Sequence, residues 1–192
     1  MAIIDRGIGD PRVIGHLVKA AQLQIDNAGA DNNKIYGNFI GTNHDGTVAI
    51  GNTRYGVVIY NGVQGTQVGG TGTGQGNIIA GNGASGVVID GNGLSTTSGN
   101  VIQGNYIGLN VAGTAALGNA AHGVHIFGGA QGNTVGGATA SERNVISGNA
   151  ASGIYVSGSG TDGNTLQGNY IGTDAAGSAD LGNTASGIYI AS

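Results

Sequence analysis

GNAASGIYVSGSGTDGNTLQGNYIGTDAAGSADLGNTASGIYI (148–190) contains one complete period of this chain. It opens on Gly-Asn, three residues, Gly and a branched apolar residue, and the same pattern returns at Gly182. Working outward, the pattern occurs five times, as GNTRYGVVI (51–59), GNGASGVVI (81–89), GNAAHGVHI (118–126), GNAASGIYV (148–156) and GNTASGIYI (182–190). A second motif lies inside each period: NKIYGN (33–38), TQVGG (66–70), NVIQGN (100–105), NTVGG (133–137) and NTLQGN (164–169). The coils so defined run over 23–55, 56–85, 86–122, 123–152 and 153–186, with a sixth opening at Gly187. Two kinds alternate. The shorter continues into NIIAGN (77–82) or NVISGN (144–149), and the longer carries an excursion, NFIGTNHDGTVAIGN (38–52), NYIGLNVAGTAALGN (105–119) or NYIGTDAAGSADLGN (169–183).

Each coil holds about three short runs of Val, Ile, Tyr and Thr bounded by Gly and Asn, which reads as three strands separated by turns. One such unit cannot bury a face alone, but stacked units bury a continuous core. The expected fold is therefore all-β, a single-stranded parallel β-helix of about five to six coils. Crossovers between parallel strands are nearly always right-handed, which sets the expected hand. In the first strand the flanking positions are always branched and apolar: Leu23/Ile25, Val57/Ile59, Val87/Ile89, Val124/Ile126, Ile154/Val156 and Ile188/Ile190. The position between them varies through Gln24, Val58, Val88, His125, Tyr155 and Tyr189. A period of two puts the constant pair inside and the variable residue outside. Ile35, Val68, Ile102, Val135 and Leu166 form a second expected inner row.

Asparagines recur in register. Asn52, Asn82, Asn119, Asn149 and Asn183 occupy one position, and Asn33, Asn100, Asn133 and Asn164 another, with Thr66 substituting. Asn tolerates left-handed turns, and stacked amides bond to one another, so both rows are expected to be structural ladders.

Composition narrows the alternatives. The chain has 42 glycines but one proline and no period of three, which excludes a collagen-like helix. Apolar residues make up 39% and charged residues 8%, which disfavours disorder. Without cysteine there is neither a disulfide framework nor a thiolate metal site. A net charge of −4 with scattered basic residues argues against a nucleic-acid partner. No apolar run reaches the roughly 20 residues of a membrane span. MAIIDRGIGDPR (1–12) lacks the pattern of a signal peptide. Residues 1–22 do not repeat and are expected to cap the solenoid, either as a short helix from Asp10-Pro11 with Val13, Ile14, Leu17 and Val18 on one face, or as a degenerate coil. The β-helix repeats then span 23–192. The last strand has no visible cap, so either the sequence is a fragment of a longer repeat protein or another chain covers the end, and end-on association of copies through the C-terminal coil is the expectation.

GNYIGTDAAGSADLGN (168–183), NTVGGATASERNVISGN (133–149) and SGIYV (152–156) resemble the parallel β-helix repeats of pectin-lyase-like proteins, above all those of large bacterial secreted and surface proteins. The resemblance covers 23–192. It implies the fold and an extracellular or cell-surface setting. It fixes no activity, because this architecture hosts lyases, hydrolases, epimerases, adhesins and phage tail parts.

The candidate site lies on the first outer rows. They set His125, Tyr155 and Tyr189 beside Phe127 and Tyr60, and aromatic rings with polar edges suit a sugar chain in a shallow groove. The competing expectation for these rings is an outer stack that steadies the sheet. Asp26 and Asp90 share a row two coils apart, so their backbones are expected about 9.6 Å apart, at the upper end for an inverting glycosidase pair, with Tyr60 between them. His44, Asp45, Arg54 and Tyr55 enrich the first excursion and can meet there. TNHDGT (42–47), GTDGN (160–164) and TDAAGSAD (173–180) carry oxygen ligands but fit neither an EF-hand nor the calcium nonapeptide. His122 and His125 sit three apart around a turn and read as a structural pair. No cofactor and no metal is expected. The function expected is a non-catalytic structural or adhesive module that takes polysaccharide on the aromatic face; the alternative is a carbohydrate-active lyase or hydrolase.

Overall fold

The computed structural model describes residues 22–93 and 97–192. The expected cap over 1–22 falls, apart from Gln22, outside them. The described chain is a parallel β-solenoid of about five turns. Its first turn contributes β1 (Leu23–Asp26), β2 (Lys34–Ile35) and β3 (Phe39–Ile40). The second contributes β4 (Val57–Tyr60), β5 (Gln67–Val68) and β6 (Ile78–Ile79), and the third β7 (Val87–Asp90), β8 (Val101–Ile102) and β9 (Tyr106–Ile107). The fourth holds β10 (Val124–Phe127), β11 (Thr134–Gly136) and β12 (Val145–Ile146), and the fifth β13 (Ile154–Ser157), β14 (Thr165–Gln167) and β15 (Tyr170–Ile171). β16 (Ile188–Ala191) opens the sixth.

Every third strand pairs in parallel, giving sheet A (β1-β4-β7-β10-β13-β16), sheet B (β2-β5-β8-β11-β14) and sheet C (β3-β6-β9-β12-β15). Strands of two to four residues have no independent stability, and each is held by its neighbours in the adjoining coils, on both sides except at the two ends of each sheet. The expected inner rows are the core: Val57, Ile59, Val87, Ile89, Val124, Ile126 and Ile154 are fully buried on sheet A, and Val68, Ile102 and Val135 on sheet B. Sheet C adds Ile40, Ile79, Ile107 and Ile146. Full burial of such a side chain contributes roughly 1.5–3 kcal/mol, so the core dominates the stability of each turn. At β16 the inward residues Ile188 and Ile190 are 46% and 68% exposed.

The asparagine rows form ladders. In the first, Asn52, Asn82, Asn119 and Asn149 each donate Nδ2–H to the Oδ1 of the Asn in the next coil, ending on Asn183, at 2.8–3.0 Å. In the second, Asn100 donates to Asn133 and Asn133 to Asn164. Asn33 stands outside this run: its Nδ2–H goes to Ala30 O at 2.7 Å. The reason is Thr66, which is buried with an unpartnered Oγ1 and reaches Asn100 Oδ1 only through its backbone N–H. Thr66→Asn supplies the missing amide and is expected to raise stability by about 1 kcal/mol, a rise of about 2–4 °C in Tm by calorimetry. An unchanged or lower Tm would refute the gap as a defect.

A third ladder runs Asn38, Asn77, Asn105, Asn144 and Asn169, one step ahead of sheet C, with Nδ2–H to Oδ1 distances of 2.9–3.1 Å. From Asn77 onward its members also donate Nδ2–H to a carbonyl of the preceding coil, as Asn105 does to Val68 O, whereas Asn38 donates to Tyr36 O of its own coil. These bonds absorb polar groups that would otherwise lie unpaired in the core.

The two kinds of coil differ at two corners. Short coils carry extra residues between sheets B and C, such as the 3-10 turn Ala140–Glu142. Long coils carry them after sheet C, where each excursion folds back through an antiparallel bridge: Thr42 with Ala49, Leu109 with Ala116, and Thr173 with Asp180. The excursions lean on one another, Val111 N–H to Gly46 O and Ala175 N–H to Gly113 O, and so form a continuous ridge. The first residue of each long-coil sheet C strand is aromatic (Phe39, Tyr106, Tyr170), whereas short coils have Ile78 and Val145. The ring closes against a glycine of its own excursion: a Cβ on Gly113 would lie 2.9 Å from the Tyr106 ring.

Candidate functional site

The outer face of sheet A follows from its register, Gln24–Val58–Val88–His125–Tyr155–Tyr189 in one row and Asp26–Tyr60–Asp90–Phe127 in the next. Val58 and Val88 lie on the outer row yet are 5% and 1% exposed. The strand spacing, about 4.8 Å, falls within the centroid separation of offset-stacked rings. His125 stacks on Tyr155 at 4.7 Å between centroids and on Phe127 at 4.3 Å, and Tyr155 stacks on Tyr189 at 5.2 Å with planes 5° apart. His122 joins them, 5.2 Å from His125 and 4.8 Å from Tyr155. The stack is therefore larger by one ring than the row alone indicates. His122 sits in the turn before β10, where strand periodicity does not apply; its signal was the spacing of three from His125.

His125 and Tyr155 are stacked on both sides, whereas Tyr189 ends the row and is 51% exposed. His122 Nδ1 accepts a hydrogen bond from the Ser152 N–H at 3.2 Å, and His125 Nε2 lies 3.1 Å from Ser157 Oγ. Burial lowers the pKa of both imidazoles. For His125, burial and then the neighbouring His122 bring it down to about 4.

Tyr60 is not part of this group. It lies on β4, separated from β10 by β7, which contributes no ring. It belongs to a polar cluster instead. Gln24 Nε2 donates to Tyr60 Oη at 3.0 Å and to Asp26 Oδ2 at 3.2 Å, and Asn61 Nδ2 donates to Asp26 Oδ1 at 2.8 Å. Asn92 Nδ2 continues the chain to Asn61 Oδ1 at 2.9 Å. The bond from Asn61 holds the Asp26 carboxyl below its ordinary pKa, and a hydrogen bond to Asp26 raises that of the Tyr60 phenol. Asp26 and Asp90 flank Tyr60 in register, as expected. An inverting pair needs one carboxyl kept protonated near neutrality, and the environment of Asp26 acts in the opposite direction.

The other candidates are engaged locally. His44 Nε2 contacts Asp45 Oδ1 at 2.7 Å on an exposed loop, and the Arg54 guanidinium lies 5.3 Å from the Tyr55 ring, so the four residues form two pairs. In the excursions Asn43, Asn110 and Asp174 each cap the turn by accepting two backbone N–H groups, from Thr47 and Val48, Thr114 and Ala115, and Ser178 and Ala179. Those bonds, the one from Ala179 foremost, lower the Asp174 pKa. Among the described residues no three His, Cys, Asp or Glu side chains come together as metal ligands, and no helix is long and apolar enough to cross a membrane.

Comparison with known proteins gives no match: no family model, no curated protein and no solved structure is similar to this chain.

Proposed function

We propose that the chain is a non-catalytic structural and adhesive β-solenoid module of a bacterial extracellular or surface protein, engaging polysaccharide along the outer face of β10, β13 and β16. The observation that carries this is the concentration of partly exposed rings there, His122, His125, Phe127, Tyr155 and Tyr189, on neighbouring strands of one sheet. Ring edges, phenol hydroxyls and the Ser157 hydroxyl offer apolar and hydrogen-bonding contacts at a spacing that repeats along the axis. A sugar chain lying parallel to the axis would meet the same chemistry on successive coils. Elsewhere the polar side chains serve the fold, in the three ladders, the excursion caps and the Asp26 cluster. A right-handed winding of the pectin-lyase-like kind belongs to this proposal; it is supported by the parallel strand order and by the repeat phrases.

The test is a polysaccharide binding screen at micromolar protein, with reducing-end and unsaturated-product assays on the same samples. Binding without turnover is expected, weakened at least about tenfold by Tyr155→Ala, which removes the ring between His125 and Tyr189. Tyr189→Ala should weaken it as well. Product formation would overturn the proposal in favour of an enzyme and direct attention to Asp26 and Asp90. Failure to bind any glycan would leave the solenoid as a structural spacer only.

A further inference from the structure

We propose that His122 and His125 form an acid-sensitive latch across the outer face of β10 and β13, closed while both imidazoles are neutral and opened when His122 takes a proton at Nδ1. The proposal goes beyond the polysaccharide reading and stands without it. Its basis is the hydrogen bond from the Ser152 N–H to His122 Nδ1 at 3.2 Å. A nitrogen that accepts carries no hydrogen, so the proton of the neutral ring is on Nε2. A second proton would set N–H against N–H and break this link between the turns that lead into β10 and β13. The same arrangement disfavours a metal at the pair. Binding at Nε2 would move the ring proton to Nδ1, facing the Ser152 amide.

His125 reinforces the switch. Its ring is packed between Phe127 and Tyr155 and lies 5.2 Å from His122, so two cations there would repel. The π-faces attract an imidazolium, but lost hydration outweighs this and holds the His125 pKa down to about 4. Counter-ions are scarce. β10, β13, β16 and the turns 118–123, 148–153 and 182–187 carry no charged side chain, and β7 brings only Asp90, paired in register with Phe127. The other titratable side chains of the stack are the Tyr155 and Tyr189 phenols.

The sign follows from linkage. Both folded pKa values lie below the ordinary 6.5, that of His125 at about 4, so the unfolded chain binds more protons as the pH falls below 6.5. The stabilisation is complete above 6.5; the share held by His125 is lost as the pH falls through about 4, and the share held by His122 as the pH falls through its own lowered pKa. Carboxylates also titrate at the acid end, so variants are needed to isolate the histidines.

The experiment is an NMR titration of the imidazoles of the full chain from about pH 7.5 to 3.5, with hydrogen exchange of the Ser152 amide and Tm followed in parallel. His122 should titrate below the ordinary histidine range, with Ser152 exchange accelerating over the same interval. Tm of the wild type should fall by about 3–8 °C more than that of a His122→Gln, His125→Phe variant, which keeps an acceptor and a ring but cannot titrate. If that variant does not fold, the wild-type titration decides alone. Ordinary titration of His122 with unchanged Ser152 exchange would overturn the latch.

Discussion

Asn105→Ala should lower the stability of the solenoid by about 3–5 kcal/mol, a fall of about 10 °C in Tm. Asn105 is fully buried near the middle of the third ladder. It donates from its backbone N–H and from Nδ2 to Asn144 Oδ1, at 3.0 and 2.9 Å, and from Nδ2 to Val68 O and Gln103 O. Its Oδ1 accepts from both the backbone N–H and Nδ2 of Asn77. Alanine keeps the backbone bond but leaves the Asn77 donors and the Val68 carbonyl without this partner, in a site that water cannot reach. The Val68 carbonyl keeps the Gln103 N–H, but the two orphaned Asn77 donors, at about 1–3 kcal/mol each, outweigh any gain from removing a polar side chain. Asn183→Ala should lose less, because Asn183 is only half-buried and its Oδ1 receives the last donation of its ladder. Urea unfolding of the two variants checks both the size and the order; a loss below about 1 kcal/mol for Asn105→Ala would show that the ladder adds little beyond the core.

Gly108→Ala should cost about 3–4 kcal/mol. Gly108 follows β9 and directs the chain into the excursion with a φ of +88°, where an L side chain is strained. Its Cβ would also lie 2.2 Å from Ser147 O and 2.5 Å from Asn149 Oδ1. Both atoms are held in the stack, so neither yields without disturbing a ladder. The position equivalent to Gly108 in short coils is Ala80 or Ser147, and neither has a positive φ. The control is Gly74→Ala, with φ +75° and nothing within 4 Å of the added Cβ. It isolates the backbone contribution and should lose only about 1–2 kcal/mol. Equal losses in the two variants would place the whole effect in φ and remove the steric argument.

The legibility of the sequence varied with the regularity of spacing. Sheet A was readable because, in β4 and every later strand of the sheet, Gly-Asn opens six residues before the first inward residue, as Gly51 does before Val57. Both inner rows and the register that sets His125 beside Tyr155 followed from that. The third ladder was hidden by loop length. Asn38, Asn105 and Asn169 come five residues after the second-ladder position of their coil, whereas Asn77 and Asn144 come eleven after theirs. The local pattern Asn, then a bulky residue, then Ile was present in all five coils and would have revealed it. Tyr60 was grouped with the other rings by its row alone. Rows extend along the whole solenoid, but ring stacking reaches only the adjacent strand, and β7 offers Val88 and Asp90 there. The break between Asn33 and Asn100 was visible as Thr66, but its consequence, a buried hydroxyl without a partner, emerged only from packing.

The excursion ridge has a consequence for how such a molecule can change length. Gly46 meets Val111, and Gly113 meets Ala175, so each excursion rests on the one two coils away. Loss or gain of a single coil would place two long coils or two short ones in succession. Either the excursions would collide or the ridge would lose its support, although the core and the ladders could still be continuous. Loss or gain of a long and short coil together preserves every one of these contacts. The heritable unit of this solenoid is thus the pair of turns, and viable duplications and deletions are expected to come in that unit.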